Sequence, residues 1–67
     1  MSEVNRTVGE KIRALREARG WLQRELAHNA CVPVRTINRI ERGEVDVRLS
    51  TLGKIARALD VSVKEFL

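Results

Sequence analysis

Hydrophobic residues recur along this chain at the three- and four-residue spacing of amphipathic helices. Alternating runs typical of strands are nearly absent, and no Asn-Gly or Asp-Gly turn joins two such runs. Val8, Ile12 and Leu15 share one stripe, which predicts a first helix from about Val8 to Arg19. The chain is therefore expected to be all-α.

Capping signals and glycines mark the predicted helix ends. Thr7 followed by Glu10 matches a capping box at the start of the first helix. Gly20 and Gly43 stand where left-handed residues would end the first and third helices. Gly53 lies inside the predicted fourth helix, where it costs about 1 kcal/mol relative to Ala, and we interpret it as permitting close packing.

The same spacing predicts the remaining helices. The second covers about Leu22–Asn29, and the third runs from Pro33 or Val34 to about Glu41. The fourth follows Ser50 as its cap. A capping box at Ser62–Glu65 predicts one last helical turn. The expected architecture is five short helices around one core, in a single domain over residues 1–67.

The second and third helices are joined by a very short link, about Asn29 to Val32. Such a link forces a sharp angle, which is the arrangement of a helix-turn-helix unit, here about residues 23–42. Ala27 is small where the two helices would touch, and Ile37 and Ile40 would anchor the third helix in the core. In such units the later of the two helices, here the third helix of the chain, enters the major groove of DNA.

Three stretches together resemble the lambda-repressor-like (Cro/repressor, xenobiotic-response-element) helix-turn-helix family. They are Gln23-x-Glu25-Leu26-Ala27, Thr36-Ile37-x-x-Ile40-Glu41-x-Gly43 and Thr51-Leu52-x-Lys54-Ile55-Ala56-x-Ala58-Leu59. The resemblance covers about residues 6–67. It implies a five-helix domain that binds operator DNA, usually as a dimer on a near-palindrome.

The resemblance also implies DNA contacts for residues of the motif. Positions that match base-facing residues are Val34, Arg35, Asn38 and Arg39. Positions that match phosphate-contacting residues are Gln23, Thr36 and Arg42. Arg35 and Arg39 are four residues apart, so both side chains leave one face of the helix, and each could pair with guanine through two hydrogen bonds.

Plainer interpretations stand beside these roles. Gln23 could cap the second helix without contacting DNA, and Thr36 could form a hydrogen bond within the third helix. Asn38 could pair with adenine or only bond to a phosphate, whereas the arginines could be solvated. Arg16 and Glu41 match an ion pair between the first helix and the end of the third, which we interpret as structural.

Several positions depart from the family pattern. Cys31 stands where the family usually has Gly, at a turn position that tends to need positive φ. Leu22 and Pro33 replace the usual Ser or Thr caps of the second and third helices. Glu44 and Asp46 make the next loop acidic, so we do not expect that loop to hold DNA strongly.

The charge of the chain agrees with a nucleic-acid partner without requiring one. The net charge is +4, carried by 10 Arg and 3 Lys against 9 acidic residues, and the whole excess lies in residues 1–43. Arg is the residue best suited to bidentate contacts with phosphate and guanine.

Residue inventory excludes several classes of site. One Cys cannot form an internal disulfide, and His28 with Cys31 supplies too few ligands for zinc. No catalytic set, cofactor or small-molecule ligand is evident, since the chain has one His, one Cys and little length to enclose a substrate. No apolar run exceeds three residues, so a reduced, cytoplasmic protein with no membrane span is expected.

The sequence thus predicts a transcriptional regulator, of repressor type, that reads the major groove with its third helix. A homodimer on an inverted-repeat operator is expected. The ends of the predicted fifth helix (Val63, Phe66, Leu67) and the loop Glu44–Leu49 are candidate dimer surfaces. The alternative is an antitoxin or another protein-interaction module on the same fold.

Overall fold

A computed structural model describes residues 2–67, so Met1 of the predicted domain lies outside the described part. Four α-helices follow one another along it. They are α1 (Glu3–Ala18), α2 (Gln23–Ala30), α3 (Val34–Glu41) and α4 (Leu49–Ala58). Residues 2–67 contain no strand, as the periodicity predicts, and none of their helices has the length and apolarity to cross a membrane.

The predicted fifth helix is wrong as an α-helix, because Val63–Phe66 form a single 3₁₀ turn. The amide of Glu65 donates to the carbonyl oxygen of Ser62 at 3.0 Å, a bond that spans three residues rather than four. The Ser62 hydroxyl does cap this turn, but it accepts from the amide of Lys64. The tight turn places Phe66 in the core.

Two predicted helix starts are also wrong. Helix α1 begins earlier than predicted because the Ser2 hydroxyl accepts the Asn5 amide at 3.0 Å, whereas Thr7 lies within the helix and donates to the Glu3 carbonyl oxygen. Helix α4 begins before Ser50, with Arg48 at the cap position and no side-chain cap. Short hydroxyl residues near a helix start make several caps locally plausible, and the choice between them depends on packing.

The core is formed by apolar residues of all four helices and the final turn. The buried apolar residues are Val8, Ile12, Leu26, Ala27, Ala30, Val32, Ile37, Ile40, Leu52, Ile55, Ala56, Leu59 and Phe66. Helix α3 packs against α1 and α2, and α4 packs against α2 and the final turn. The core therefore holds α3 from one side and leaves the opposite side of that helix to solvent.

Arg19 joins the ends of α1 and α4. Its guanidinium donates to the carbonyl oxygen of Leu59, one of the last acceptors of α4, and lies 5.4 Å from the centre of the Trp21 ring. A basic side chain is favourable at this negative end of a helix dipole. Arg19, the residue that follows α1, thus has a structural role.

Close packing of α1 against α3 depends on Gly9, not on Gly53. A Cβ at Gly9 would lie well inside contact distance of the Ile40 carbonyl oxygen and 3.1 Å from that of Glu41. A Cβ at Gly53 would meet nothing within 4 Å, so the close-packing interpretation of Gly53 is wrong. The sequence shows Gly9 only as a glycine within a predicted helix. The residues that its Cβ would meet, Ile40 and Glu41, are about thirty positions away in the chain.

Substitution of each helical glycine by alanine should therefore have opposite effects. We expect Gly9→Ala to lower the free energy of unfolding by roughly 1–3 kcal/mol, because the new methyl group meets backbone atoms. Gly53→Ala, as the matched control, should raise it by about 1 kcal/mol through helix propensity. Urea unfolding followed by circular dichroism measures both; equal effects of the two substitutions would contradict this account.

Candidate nucleic-acid interface

Helices α2 and α3 form the helix-turn-helix unit that their spacing predicts. Three residues, Cys31 to Pro33, join them. Cys31 has φ 56°, as expected for the position where the family prefers Gly, and this left-handed residue ends α2. The Val32 amide then donates to the Ala27 carbonyl oxygen at 3.0 Å. The turn is thus made by backbone hydrogen bonds and one left-handed residue.

Helix α3 has one buried side and one exposed side. Ile37 and Ile40 are fully buried, as predicted, and hold the helix in the core. Of the residues predicted to contact bases, Val34, Arg35 and Arg39 are exposed, whereas Asn38 is half-buried. Exposed residues of α3 are thus available to a partner without any change in the core.

The arginines of α3 differ electrostatically from those of α1. Arg6 and Arg13 of α1 pair with carboxylates of their own helix, at 2.6 Å from Glu3 and 3.2 Å from Glu17. Arg35 and Arg39 form no ion pair within residues 2–67. The exposed face of α3 therefore carries two positive charges that no carboxylate of the described residues compensates.

The residues predicted to contact phosphate are in different surroundings. Thr36 is half-buried near the start of α3. Arg42 is exposed and pairs with Glu44 at 3.0 Å. An exposed pair of this kind contributes only about 0–1 kcal/mol, so Arg42 can exchange the carboxylate for a phosphate at little cost. The pair with Glu44 thus leaves Arg42 available to another anion.

Arg16 and Glu41 lie together in a nearly closed site between α1 and the end of α3. Arg16 donates from Nε to Glu41 Oε2 at 2.7 Å and from Nη2 to Oε1 at 3.0 Å. Its third nitrogen donates to the carbonyl oxygen of Trp21 at 2.7 Å. The Glu41 side chain is 3% exposed and that of Arg16 10%. Hydrogen bonding to Glu41 raises the pKa of Arg16 above its ordinary value.

Gln23 connects this ion pair to the outer side of α3. Its Nε2 donates to Glu41 Oε1 at 3.1 Å, and its Oε1 accepts from Asn38 Nδ2 at 3.2 Å. We call the four side chains Arg16, Glu41, Gln23 and Asn38 the polar relay. The bond between Gln23 and Asn38 was not predicted, since residues fifteen positions apart meet only through the angle between α2 and α3.

The start of α2 lacks the hydroxyl cap that the family usually has there. The Leu22 side chain makes no cap, but the Glu25 carboxylate accepts the Leu22 amide at 2.8 Å. Gln23 turns its side chain to the polar relay and does not cap its own helix. Within residues 2–67 no three His, Cys, Asp or Glu side chains converge as a metal site would require.

A family profile described as helix-turn-helix matches residues 12–66. The chain belongs to the helix-turn-helix family. A relative in Sinorhizobium fredii, the uncharacterized HTH-type transcriptional regulator y4dL, is 38% identical over 56 residues, which are 84% of this chain. The matched part is only 29% of that relative's length.

Solved structures of regulators have the same fold. The restriction-modification controller protein C.AhdI from Aeromonas hydrophila is 32% identical with a TM-score of 0.90, over 94% of this chain and 96% of that one. The clp gene regulator ClgR from C. glutamicum is 27% identical with a TM-score of 0.88, over 98% and 86%. The family and the structural neighbours are thus DNA-binding regulators of helix-turn-helix type, not enzymes.

Loss of the buried guanidinium should be far more costly than loss of an exposed one. We expect Arg16→Ala to lower the free energy of unfolding by about 3–5 kcal/mol, because Glu41 stays buried without its partner. Arg13→Ala removes the exposed pair with Glu17 and should cost about 0.3–0.5 kcal/mol. Urea unfolding compares the two variants, and similar losses would contradict a structural role for the buried pair.

Proposed function

We propose that this chain is a sequence-specific regulator, of repressor type, that inserts α3 into the major groove of operator DNA. The observation that carries the proposal is the exposed face of α3, where Arg35 and Arg39 lie one helical turn apart without a carboxylate partner. Because guanine offers two acceptors in the major groove, each guanidinium can bind one guanine with two hydrogen bonds.

The other base contacts follow from the same orientation of α3. Val34 is 47% exposed at the first position of the helix and can contact a thymine methyl group. Asn38 lies beside Arg35 and Arg39 on the outer side and can bind a base edge. These four residues account for the sequence preference in this proposal.

Phosphate contacts would hold the motif in register on the duplex. The amides at the start of α2, next to Gln23, carry the positive end of a helix dipole and favour an anion. Gln23 still has an unused amide proton after its bonds to Glu41 and Asn38. Thr36 and Arg42 would bind phosphates on either side of the recognition contacts.

Repression would be steric, since a protein seated in the groove blocks access of polymerase to the same DNA. We further propose a homodimer on an inverted repeat. Leu67 is 79% exposed and Val4 70% exposed, and they line one apolar groove together with Val47 of the loop. Of the candidates predicted in the last helix, Phe66 is buried in the core and Val63 packs against the core, which leaves Leu67 for contact.

Selection of bound duplexes from a random pool tests the DNA proposal. We expect one sequence to be enriched, with binding that weakens steeply as salt rises. Arg35→Ala and Arg39→Ala should each lower affinity for that sequence by about 5- to 150-fold and relax preference at one base pair. Arg13→Ala, which removes an arginine already paired within α1, serves as the control. If no sequence is enriched and both variants bind as the wild type does, the proposal is wrong.

Sedimentation of the free protein tests the dimer. We expect the wild type to sediment as a dimer and Leu67→Glu as a monomer, because a buried carboxylate opposes association. Leu22→Glu places the same charge on an exposed leucine outside the groove and should leave the dimer intact. The selected DNA should be an inverted repeat with half-sites about 34 Å apart. A monomeric wild type on a single site would exclude the dimer.

A further inference from the structure

In the polar relay, the chemistry of Glu41 determines which group donates and which group accepts in each hydrogen bond. Both of its carboxylate oxygens accept hydrogen bonds from Arg16, within a site where the Glu41 side chain is 3% exposed. An ionised carboxylate has no proton to donate, so any further neighbour must donate to it. The neighbour is Gln23, whose amide could in principle turn either end towards Glu41.

The need for a donor at Glu41 also determines the amide orientations of Gln23 and of Asn38 on the outer side of α3. Gln23 directs Nε2 to Glu41 at 3.1 Å, so its Oε1 lies at the other end of the amide. That oxygen in turn requires a donor, and Asn38 meets it with Nδ2 at 3.2 Å. Reversal of either amide would bring two acceptors or two donors face to face and leave a half-buried group unpaired. The orientation of both amides is thus the one that satisfies every bond.

We infer that Asn38 is a specificity-determining residue whose Oδ1 is held as an acceptor towards the major groove, where it selects adenine. The inference rests on the proposed function and concerns how that site discriminates between bases. One Nδ2 proton of Asn38 is used by Gln23, and the other remains beside Oδ1. Adenine matches this edge with its N6 amine and N7 acceptor.

The other bases match the same edge less well. Guanine O6 and thymine O4 are acceptors, so each would face the Oδ1 acceptor of Asn38. Cytosine N4 can donate to Oδ1 but offers no neighbouring acceptor, which makes it second best. An asparagine without the relay could turn its amide over and donate to guanine or thymine. Gln23 is therefore a positioning residue for base discrimination, in addition to its proposed phosphate contact.

Competition binding with the selected half-site, carrying each of the four bases at each position, tests the inference. We expect the wild type to prefer adenine at one position by about 5- to 150-fold over guanine or thymine. Asn38→Ala should remove the preference at that position alone. Gln23→Met, which retains side-chain volume but makes no hydrogen bonds, should reduce affinity for all sequences and also reduce the adenine preference to within about threefold.

Asn29→Ala provides the matched control, because it removes an exposed amide of α2 that lies outside the polar relay. It should retain the wild-type base preference. In NMR spectra of the wild type, exchange of an Asn38 side-chain amide proton should be slow, and Gln23→Met should abolish this protection.

Three results would overturn the inference. Gln23→Met with undiminished adenine preference, or Asn38→Ala with no change at any position, would overturn it while leaving the proposed base contacts of Arg35 and Arg39 standing. Unprotected Asn38 amide protons in the folded wild type would do the same without use of a variant. Failure of the wild type to enrich any sequence would overturn both the inference and the proposed function.

Discussion

The ion pair between Arg16 and Glu41 joins α1, the end of α3 and the link before α2 through polar contacts that add to those of the hydrophobic core. Arg16 comes from the middle of α1, Glu41 is the last residue of α3, and Trp21 belongs to the link that leads into α2. All three nitrogens of the guanidinium have an acceptor, which offsets much of the cost of burying the charge. The pair therefore connects the end of α3 to α1 and to the link that precedes α2.

Arginines of this chain differ in whether a carboxylate of the described residues pairs with them. Arg6, Arg13 and Arg16 have acidic partners and contribute to the fold. Arg35 and Arg39 have no such partner within the described residues, so their charges are available to an external anion. A net charge of +4 is modest, but two of the arginines without an ion pair lie on the face of α3 that the core leaves exposed. For the proposed binding of DNA, the distribution of the charge therefore matters more than its total.

Features that depend on neighbours in the chain were predictable from the sequence, and those that depend on distant contacts were not. Helical spacing around Ile37 and Ile40 predicts α3 and its orientation, and the turn needs positive φ at Cys31, which the structure confirms. The sequence pattern could not distinguish Gly9 from Gly53, because only the path of α3 past α1 makes one of them necessary.

The candidate site shows the same division between local and distant information. The resemblance to a known family assigns roles to Gln23 and Asn38 separately, but their hydrogen bond depends on the angle between two helices. The 3₁₀ turn at Val63–Phe66 likewise accompanies burial of Phe66 against distant residues, whereas the capping signal at Ser62 is compatible with either kind of helix.

The proposed recognition residues differ in how strongly the fold constrains their substitution, because only one of them belongs to the polar relay. Arg35 and Arg39 make no ion pair within the described residues, so in the proposed mode of binding substitution there would alter base preference at little cost to the fold. Asn38 is different, because it shares hydrogen bonds with Gln23 and through it with the buried carboxylate of Glu41. A residue in such a network couples to its neighbours, so a change at Asn38 affects recognition and packing together. New operator preferences are therefore more accessible through the arginines than through the asparagine.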